Sequence, residues 1–183
     1  MYYVIRWIGK VYLKLFHNCK IIGKENVPEG PCVICPNHIG KLDPFIVALI
    51  SKSMLYFVAK IELSHSKILS KFADFVGCVI FINRGTADVG ALKKGLKVLR
   101  NGEKLIIYPQ GHRYKKFNVS QGKKGAASLA IKVDCPIVPV TIRREWKGII
   151  KTVTCIVHKP IMADGRSEKE FTTVVMEKIG EGL

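Results

Sequence analysis

Short apolar segments alternate with amphipathic segments along most of the chain. Six of the short segments are rich in β-branched residues and bounded by Gly, Pro or Asn, which is typical of strands. They cover residues 32–36, 55–59, 78–82, 105–108, 137–142 and 152–157. Helical spacing of apolar residues, caps and alanine-rich composition predict helices at 44–51, 64–75, 86–100, 124–133 and 168–179. This alternation predicts an α/β fold: a single domain with a mostly parallel central sheet flanked by helices.

Two of these helices have recognisable boundaries. Asp43 is the predicted N-cap of the helix at 44–51, and Pro44 occupies its first helical position. The helix at 86–100 is followed by Asn101 and Gly102, a pair that ends helices.

Residues 1–20 form a predicted amphipathic helix that precedes a main domain at residues 21–183. The apolar positions recur at helical spacing and are Val4, Ile5, Ile8, Val11, Tyr12 and Leu15. They are interrupted by the basic residues Arg6, Lys10, Lys14 and Lys20. Such a helix is suited to the headgroup layer of a membrane surface. The alternative is a helix packed on its own domain. The sequence has no uninterrupted apolar run of about 18 residues, so no membrane-spanning helix is predicted.

The chain carries 30 Lys and Arg against 14 Asp and Glu, a net charge of +16 at pH 7. Such a field attracts nucleic acid, an anionic bilayer or a phosphorylated substrate. The aromatic residues lie in apolar strands or in the first helix rather than on a basic stacking platform. The sequence therefore predicts no nucleic-acid partner.

The six cysteines lie among Val, Ile and Phe, as small buried hydrophobic residues do. No apolar leader with a small-residue cleavage site precedes them, so we expect reduced thiols in a cytosolic compartment. Cys32 and Cys35 form a C-x-x-C pair, but no second Cys or His pair follows at zinc spacing. No metal site is predicted.

His38 and Asp43 are candidates for chemistry because a buried strand leads into His38 and a helix starts near Asp43. A carboxylate on one ring nitrogen fixes the tautomer of a histidine whose other nitrogen takes a proton. A histidine held in this way can act as the base that deprotonates a hydroxyl. The spacing alone is a weak pattern, and taken by itself it favours a polar loop with a helix cap at Asp43.

Two arginines extend the pattern. Arg84 follows one predicted strand and precedes a helix. Arg113 follows the next predicted strand, and Gln110 and Gly111 lie between that strand and Arg113. Arginine matches the geometry of a phosphate, and a helix N-terminus adds amide donors. Together they indicate a phosphate clamp beside a base, although each arginine alone is more typical of a solvated surface.

These residues form four ordered blocks that resemble the 1-acyl-glycerol-3-phosphate acyltransferases, also called lysophosphatidic acid acyltransferases. The blocks are Asn37-His38-x4-Asp43, Phe81-Ile82-Asn83-Arg84, Tyr108-Pro109-Gln110-Gly111-His112-Arg113 and Val138-Pro139-Val140. Residues 58–63 and 123–127 also match stretches common in that family. The resemblance covers nearly the whole chain, and residues 21–183 would be the acyltransferase domain.

The resemblance implies transfer of a fatty acyl group from acyl-CoA or acyl carrier protein to the free hydroxyl of 1-acyl-glycerol-3-phosphate, which gives phosphatidic acid. His38 would be the general base and Asp43 would orient it, without a covalent intermediate or a cofactor. Backbone amides at residues 39–41 would stabilise the oxyanion. The protein would act peripherally at the cytoplasmic face of an anionic membrane.

The resemblance also implies the substrate-binding residues. Arg84 and Arg113 would hold the acceptor phosphate, with Lys60 as a weaker candidate. Pro139 would shape the cleft near the acyl chain. The remaining candidates come from the first and third blocks and are Asn37, Gln110 and Gly111.

Three departures from the family pattern leave alternatives open. Gln110 stands where the family usually has Glu, Gly40 stands where Ser is common, and residues 114–122 lack the usual charged turn. Gln keeps the shape of Glu but loses its charge and half of its acceptor capacity. Activity is then reduced, or the residue was changed to trap substrate, or Gln suffices. The alternatives are an inactive lipid-binding relative and an enzyme that acts on another lysolipid or on glycerol-3-phosphate.

Overall fold

A computed structural model of the chain describes residues 1–16, 18–83, 88–114, 116–147 and 150–183. Within these residues seven strands form one sheet, in the order β1-β7-β6-β2-β5-β3-β4. The strands are β1 (Asn18–Ile22), β2 (Cys32–Pro36), β3 (Leu55–Lys60), β4 (Val79–Ile82), β5 (Lys104–Ile106), β6 (Ile137–Lys147) and β7 (Ile150–Val157). Neighbouring strands are parallel except β6 and β7, which are antiparallel.

Six α-helices accompany the sheet within the described residues. They are α1 (Tyr2–Phe16), α2 (Asp43–Ala48), α3 (Lys67–Val76), α4 (Val89–Arg100), α5 (Gly125–Val133) and α6 (Glu168–Glu181). Short 3-10 helices lie at Lys24–Asn26, Ile61–Leu63 and Val119–Gln121. The predicted α/β domain with a mostly parallel sheet and flanking helices is therefore confirmed.

The central strand β2 is buried along its whole length, so both faces of the sheet are covered. Cys32 and Ile34 belong to a core that includes residues of α1 and α2. Val33 and Cys35 point to the opposite core, which contains residues of α4, α5 and α6. This burial on both faces explains why β2 is an uninterrupted apolar run rather than an alternating one.

The edge strand β1 is missing from the sequence-based prediction. Its residues alternate between exposed and half-buried positions, and it pairs in parallel with β7 at one end of the sheet. Only three of its five residues are apolar, so it lacks the strong β-branched run of the central strands. The boundary predicted after residue 20 falls inside β1.

The first helix packs on the domain through one side. Leu13 is 1% exposed and Tyr2 is 6% exposed, and both belong to the core that α2 shares. Other apolar side chains of α1 point outward, including Trp7 and Leu15. One face of the helix therefore fits the alternative of a helix packed on its own domain, and the other face remains unpartnered within the described residues.

The predicted start of α2 differs from the structure. Leu42 rather than Asp43 occupies the N-cap position of α2, and Asp43 is already part of the helix, followed by Pro44. The predicted start of α4 at residue 86 lies outside the described residues. Within them, Asp88 caps α4 by accepting a hydrogen bond from the amide of Ala91.

A hydroxyl links the sheet to the last helix. Thr141 of β6 donates through Oγ1 to the carbonyl of Ile179 at 2.7 Å. Because this hydrogen is used, the same oxygen accepts from Nε2 of His158, which lies 2.9 Å away. Burial, followed by the positive charge of Lys178, lowers the pKa of His158 below its ordinary value of 6.5.

The depressed pKa of His158 predicts a loss of stability in acid. The folded chain binds less proton at this site than the unfolded chain, so the free energy of unfolding falls as the pH drops below about 6.5. His158→Gln keeps a donor for Thr141 but does not titrate. We expect the wild-type protein to lose more stability than this variant between about pH 7.5 and about pH 5.5 in urea unfolding. Equal losses in the two proteins would exclude His158 as the source.

Candidate active site

His38 and Asp43 meet at the end of β2, where the chain turns into α2. Nδ1 of His38 lies 2.7 Å from Oδ2 of Asp43. Since the carboxylate accepts, Nδ1 carries the hydrogen, and in the neutral ring Nε2 is the nitrogen that takes a proton. The predicted contact between the two side chains is present, in the orientation that a general base requires.

The Asp43 carboxylate also binds the backbone of the loop between the two residues. Oδ2 accepts hydrogen bonds from the amides of Ile39 and Gly40, each at 2.7 Å. These amides were predicted to stabilise an oxyanion. The structure corrects that prediction for both, because their hydrogens already point at Asp43.

Arg144 is a partner of Asp43 that the sequence analysis missed. Its Nη2 donates to Oδ1 of Asp43 at 2.5 Å, although Asp43 is fully buried and the two residues are 101 positions apart. The alternation of side chains along β6 is the sequence signal that could have identified Arg144. Val138, Val140 and Ile142 alternate onto the core that α2 shares, and Arg144 continues this alternation.

Asn37 anchors the strand end that leads into His38. Its Nδ2 donates to the carbonyl of Ile142 at 2.9 Å, and its Oδ1 accepts from the amide of Ile142 at 2.6 Å. The side chain is buried and continues the ladder between β2 and β6. The structure thus places this predicted substrate-binding residue directly after β2, bonded to β6 and next to the base in the chain.

Tyr108 follows β5 and stacks on His38. The ring centroids lie 4.2 Å apart with an angle of 26° between the planes. The hydroxyl is buried and has no hydrogen-bond partner among the described residues. Burial, followed by the Asp43 charge, raises the pKa of Tyr108 well above its ordinary value, so it remains a neutral phenol.

An apolar cavity of about 240 Å³ opens beside His38. Its walls come from α1, α2, β3 and the start of β4, and they include Tyr2, Ile5, Phe45, Phe57 and Cys78. The predicted site residue Lys60 also lines it and lies 3.7 Å from Glu62. The structure therefore brings Lys60 and His38 to one cavity, whose other lining is largely hydrocarbon.

A second cavity of about 170 Å³ shares Tyr108 with the first as a lining residue. Its lining includes Asn83, Gly111 and Lys123. Gly111 has a φ of 78°, and a Cβ added there would lie 3.1 Å from Nζ of Lys123. The left-handed conformation favours glycine at this position. The second and third blocks therefore meet here.

The remaining predicted site residues are not brought to the cavity beside His38. Gln110 is buried and donates through Nε2 to Oε1 of Gln121 at 3.5 Å. Arg113 is exposed. Pro139 is buried in β6 opposite Cys35 and does not line that cavity. Arg84 lies outside the described residues.

The six cysteines are free thiols, and five of them are buried. Cys78 lines the cavity beside His38, and burial raises its pKa to about 11. A thiol that holds its proton this tightly is a poor nucleophile. Among the described residues, no cluster of three or more His, Cys, Asp or Glu is arranged to hold a metal ion. No helix in this part of the chain is long and apolar enough to cross a membrane.

Residues 18–143 match the sequence model of the Acyltransferase family. The chain belongs to this family. It is 28% identical over 173 residues to a chloroplastic 1-acyl-sn-glycerol-3-phosphate acyltransferase of Brassica napus, covering 87% of this chain and 50% of that protein. It is 31% identical over 139 residues to the 1-acyl-sn-glycerol-3-phosphate acyltransferase of Borreliella burgdorferi, covering 73% of this chain and 54% of that protein.

The fold is similar to the crystal structure of the 1-acyl-sn-glycerophosphate (LPA) acyltransferase of Thermotoga maritima. The TM-score is 0.79 at 26% identity, over 99% of this chain and 77% of that chain. The chain spans about half the length of the first curated relatives it matches.

The unpartnered hydroxyl of Tyr108 predicts opposite results for two substitutions. Tyr108→Phe removes a buried polar group without a partner, so we expect no loss of stability, or a small gain. Tyr108→Ala removes the ring that packs on His38 and leaves a void, which costs about 3–5 kcal/mol. Denaturant unfolding measures both. A loss above about 1 kcal/mol in Tyr108→Phe would show that the hydroxyl has a partner.

Proposed function

We propose that this chain transfers a fatty acyl group to the free hydroxyl of 1-acyl-glycerol-3-phosphate and so forms phosphatidic acid. The observation that carries this is the His38–Asp43 pair, whose Nδ1 contact leaves Nε2 as the base at the edge of an apolar cavity. The names of the similar proteins support this acceptor. Acyl-CoA or acyl carrier protein is the proposed donor.

The proposed reaction is a direct transfer. Nε2 of His38 takes the proton of the acceptor hydroxyl as the oxygen attacks the thioester carbonyl. The new C–O bond forms, the C–S bond breaks, and the departing thiolate takes the proton back from the imidazolium. Asp43 holds the ring in one tautomer and stabilises the positive charge that forms on it. The raised pKa of the cavity thiol Cys78 supports a route without an acyl-cysteine.

The proposed substrate positions are based on the two cavities, of which the apolar one has His38 in its lining. The acyl chain is proposed to lie in the apolar cavity between α1, α2 and β3. The acceptor phosphate is proposed to lie near the cations Arg84, Arg113 and Lys60. Lys123, which lines the second cavity beside Gly111, is a further cation of this region.

The first experiment is the formation of phosphatidic acid from lysophosphatidic acid and acyl-CoA or acyl carrier protein on anionic vesicles, followed by mass spectrometry. We expect His38→Ala to lower the rate by about 10²–10⁴-fold, because general-base catalysis contributes that much. His65→Ala, which removes an exposed histidine, is the matched control. A His38→Ala protein that turns over at the wild-type rate would exclude the mechanism.

The same assay resolves the role of Gln110. The wild-type chain is compared with Gln110→Glu, which restores the residue usual in the family. Product from the wild-type chain shows that glutamine suffices. Product only from Gln110→Glu identifies Gln110 as an inactivating residue, and no product from either, with both donors, favours another acceptor or a lipid-binding protein.

We also propose that α1 docks the protein peripherally on an anionic membrane at its cytoplasmic face. The outward side of the helix carries large apolar side chains, among them Trp7 at 64% exposed and Leu15 at 71% exposed. Aromatic and aliphatic side chains of this kind insert into the headgroup layer. Their inward neighbours Tyr2 and Ile5 line the cavity, so a docked helix would place the proposed acyl site at the lipid surface.

A basic groove beside α1 supports an anionic surface as the partner. Its cations are Arg6, Lys10, Lys14 and Lys24, and no acidic residue is among the described residues that line it. Burial lowers the pKa of Lys24, and the nearby charges of Arg6 and Lys10 lower it further. Anionic headgroups would offset this repulsion.

Vesicle binding separates the two contributions of α1. Lys10→Gln with Lys14→Gln should weaken binding to phosphatidylglycerol-containing vesicles about 30-fold, since each juxtamembrane lysine contributes about 1 kcal/mol. Binding to pure phosphatidylcholine should not change. Lys93→Gln with Lys94→Gln, two exposed lysines of α4, is the charge-matched control. Equal effects of the two pairs in co-sedimentation would indicate general attraction by the net charge instead.

A further inference from the structure

We propose that Arg144 is a positioning residue for the His38–Asp43 pair and that Gly40 provides the space it occupies. Arg144 holds one oxygen of the carboxylate so that the other stays directed at His38. The role in catalysis rests on the proposed acyl transfer by His38.

The two oxygens of Asp43 have separate partners. Oδ2 accepts from His38 and from the amides of Ile39 and Gly40, and Oδ1 accepts from Arg144. A carboxylate bonded on both oxygens cannot rotate without breaking a charge-assisted hydrogen bond. Without Arg144, Oδ1 would keep no hydrogen-bond partner among the described residues, and the carboxylate plane would no longer be fixed from both sides.

Arg144 also places a positive charge against the buried carboxylate, on the oxygen that does not face His38. The Asp43 side chain is 0% exposed and that of Arg144 is 19% exposed, so water gives little compensation on the carboxylate side. A buried charge that loses its partner is strongly destabilised. The charges of Asp43 and Arg144 compensate one another before proton transfer. When His38 takes a proton, the imidazolium adds one positive charge beside Asp43.

A side chain at position 40 would clash with Arg144. A Cβ added at Gly40 would overlap the guanidinium, and its three nearest atoms all belong to that group of Arg144. Gly40 is absent from the described glycines with positive φ, so its backbone conformation itself accepts a side chain. Glycine is therefore required here because Arg144 passes over it, and the departure from the common Ser at this position has a structural reason.

Arg144 does not line the apolar cavity beside His38. It therefore acts through Asp43 rather than on the substrate. Its loss should reduce kcat and leave the KM values of donor and acceptor unchanged. Partners that orient a functional side chain from behind typically contribute about 10–100-fold, as measured for metal ligands.

The kinetic test compares Arg144→Met, Arg144→Lys and Gly40→Ala. We expect Arg144→Met to lower kcat about 10–100-fold with KM values within about twofold, and Arg144→Lys to recover part of this loss. Gly40→Ala should lower kcat similarly although Arg144 is still present. Arg143→Met is the matched control, since the neighbouring side chain is on the opposite face of β6 and should leave kcat unchanged.

The double variant Gly40→Ala with Arg144→Met distinguishes this coupling from two independent defects. Because both changes remove the same contact, we expect the double variant to be no slower than Arg144→Met alone. Losses that multiply would overturn the proposal. So would a folded Arg144→Met protein with wild-type kcat, or one whose main defect is a raised KM.

A spectroscopic measurement tests the positioning without turnover. The hydrogen on Nδ1 of His38, assigned by comparison with His38→Ala, should give a downfield proton resonance in ¹⁵N-histidine-labelled protein. It should weaken or move upfield in Arg144→Met and in Gly40→Ala, and persist in Arg143→Met. An unchanged resonance in both variants would refute the proposal. Should Arg144→Met fail to fold, Gly40→Ala carries the test. A wild-type protein without activity but with these shifts would refute the proposed function alone.

Discussion

The buried carboxylate of Asp43 organises the site. Its oxygens take four hydrogen bonds, from His38, from two amides of the following loop and from Arg144. A buried charge persists only when it is paired and hydrogen-bonded, so these donors must stay in place for the site to exist. The carboxylate thereby ties the end of β2, the start of α2 and the far part of β6 into one unit.

The parallel sheet explains why residues of the first three blocks gather at one edge of the sheet. The central strands end on the same side, so the residues that follow β2, β4 and β5 lie close together, with the last residue of β3 among them. His38, Asn83 and Tyr108 follow these strands, and Lys60 ends β3. Tyr108 lines both the apolar cavity and a smaller one, which Lys123 also lines. These two environments fit the proposed acceptor, which has a hydrocarbon chain and a phosphate.

The first helix connects two proposals that would otherwise be independent. Tyr2 and Ile5 form part of the cavity wall, and the opposite side of α1 exposes the side chains proposed for docking. A bilayer that binds this helix would therefore act on the wall of the acyl site. The sequence pattern predicted a helix with two different faces, and the structure shows that each face has a different environment.

Local patterns were enough to predict the α/β class and most strands and helices. Together with the other ordered blocks they also predicted the pairing of His38 with Asp43, which only four residues separate. They failed where the deciding neighbour is distant in sequence. Arg144 was therefore missed as a partner of Asp43. The amides of Ile39 and Gly40 were assigned to an oxyanion site for a local reason, since the pattern does not show that the Asp43 carboxylate turns back onto them. The weak strand β1 is recognisable only through its pairing with β7. Arg144 reaches Asp43 across 101 residues because β6 lies beside β2 in the sheet, and strand order is a property of the folded chain.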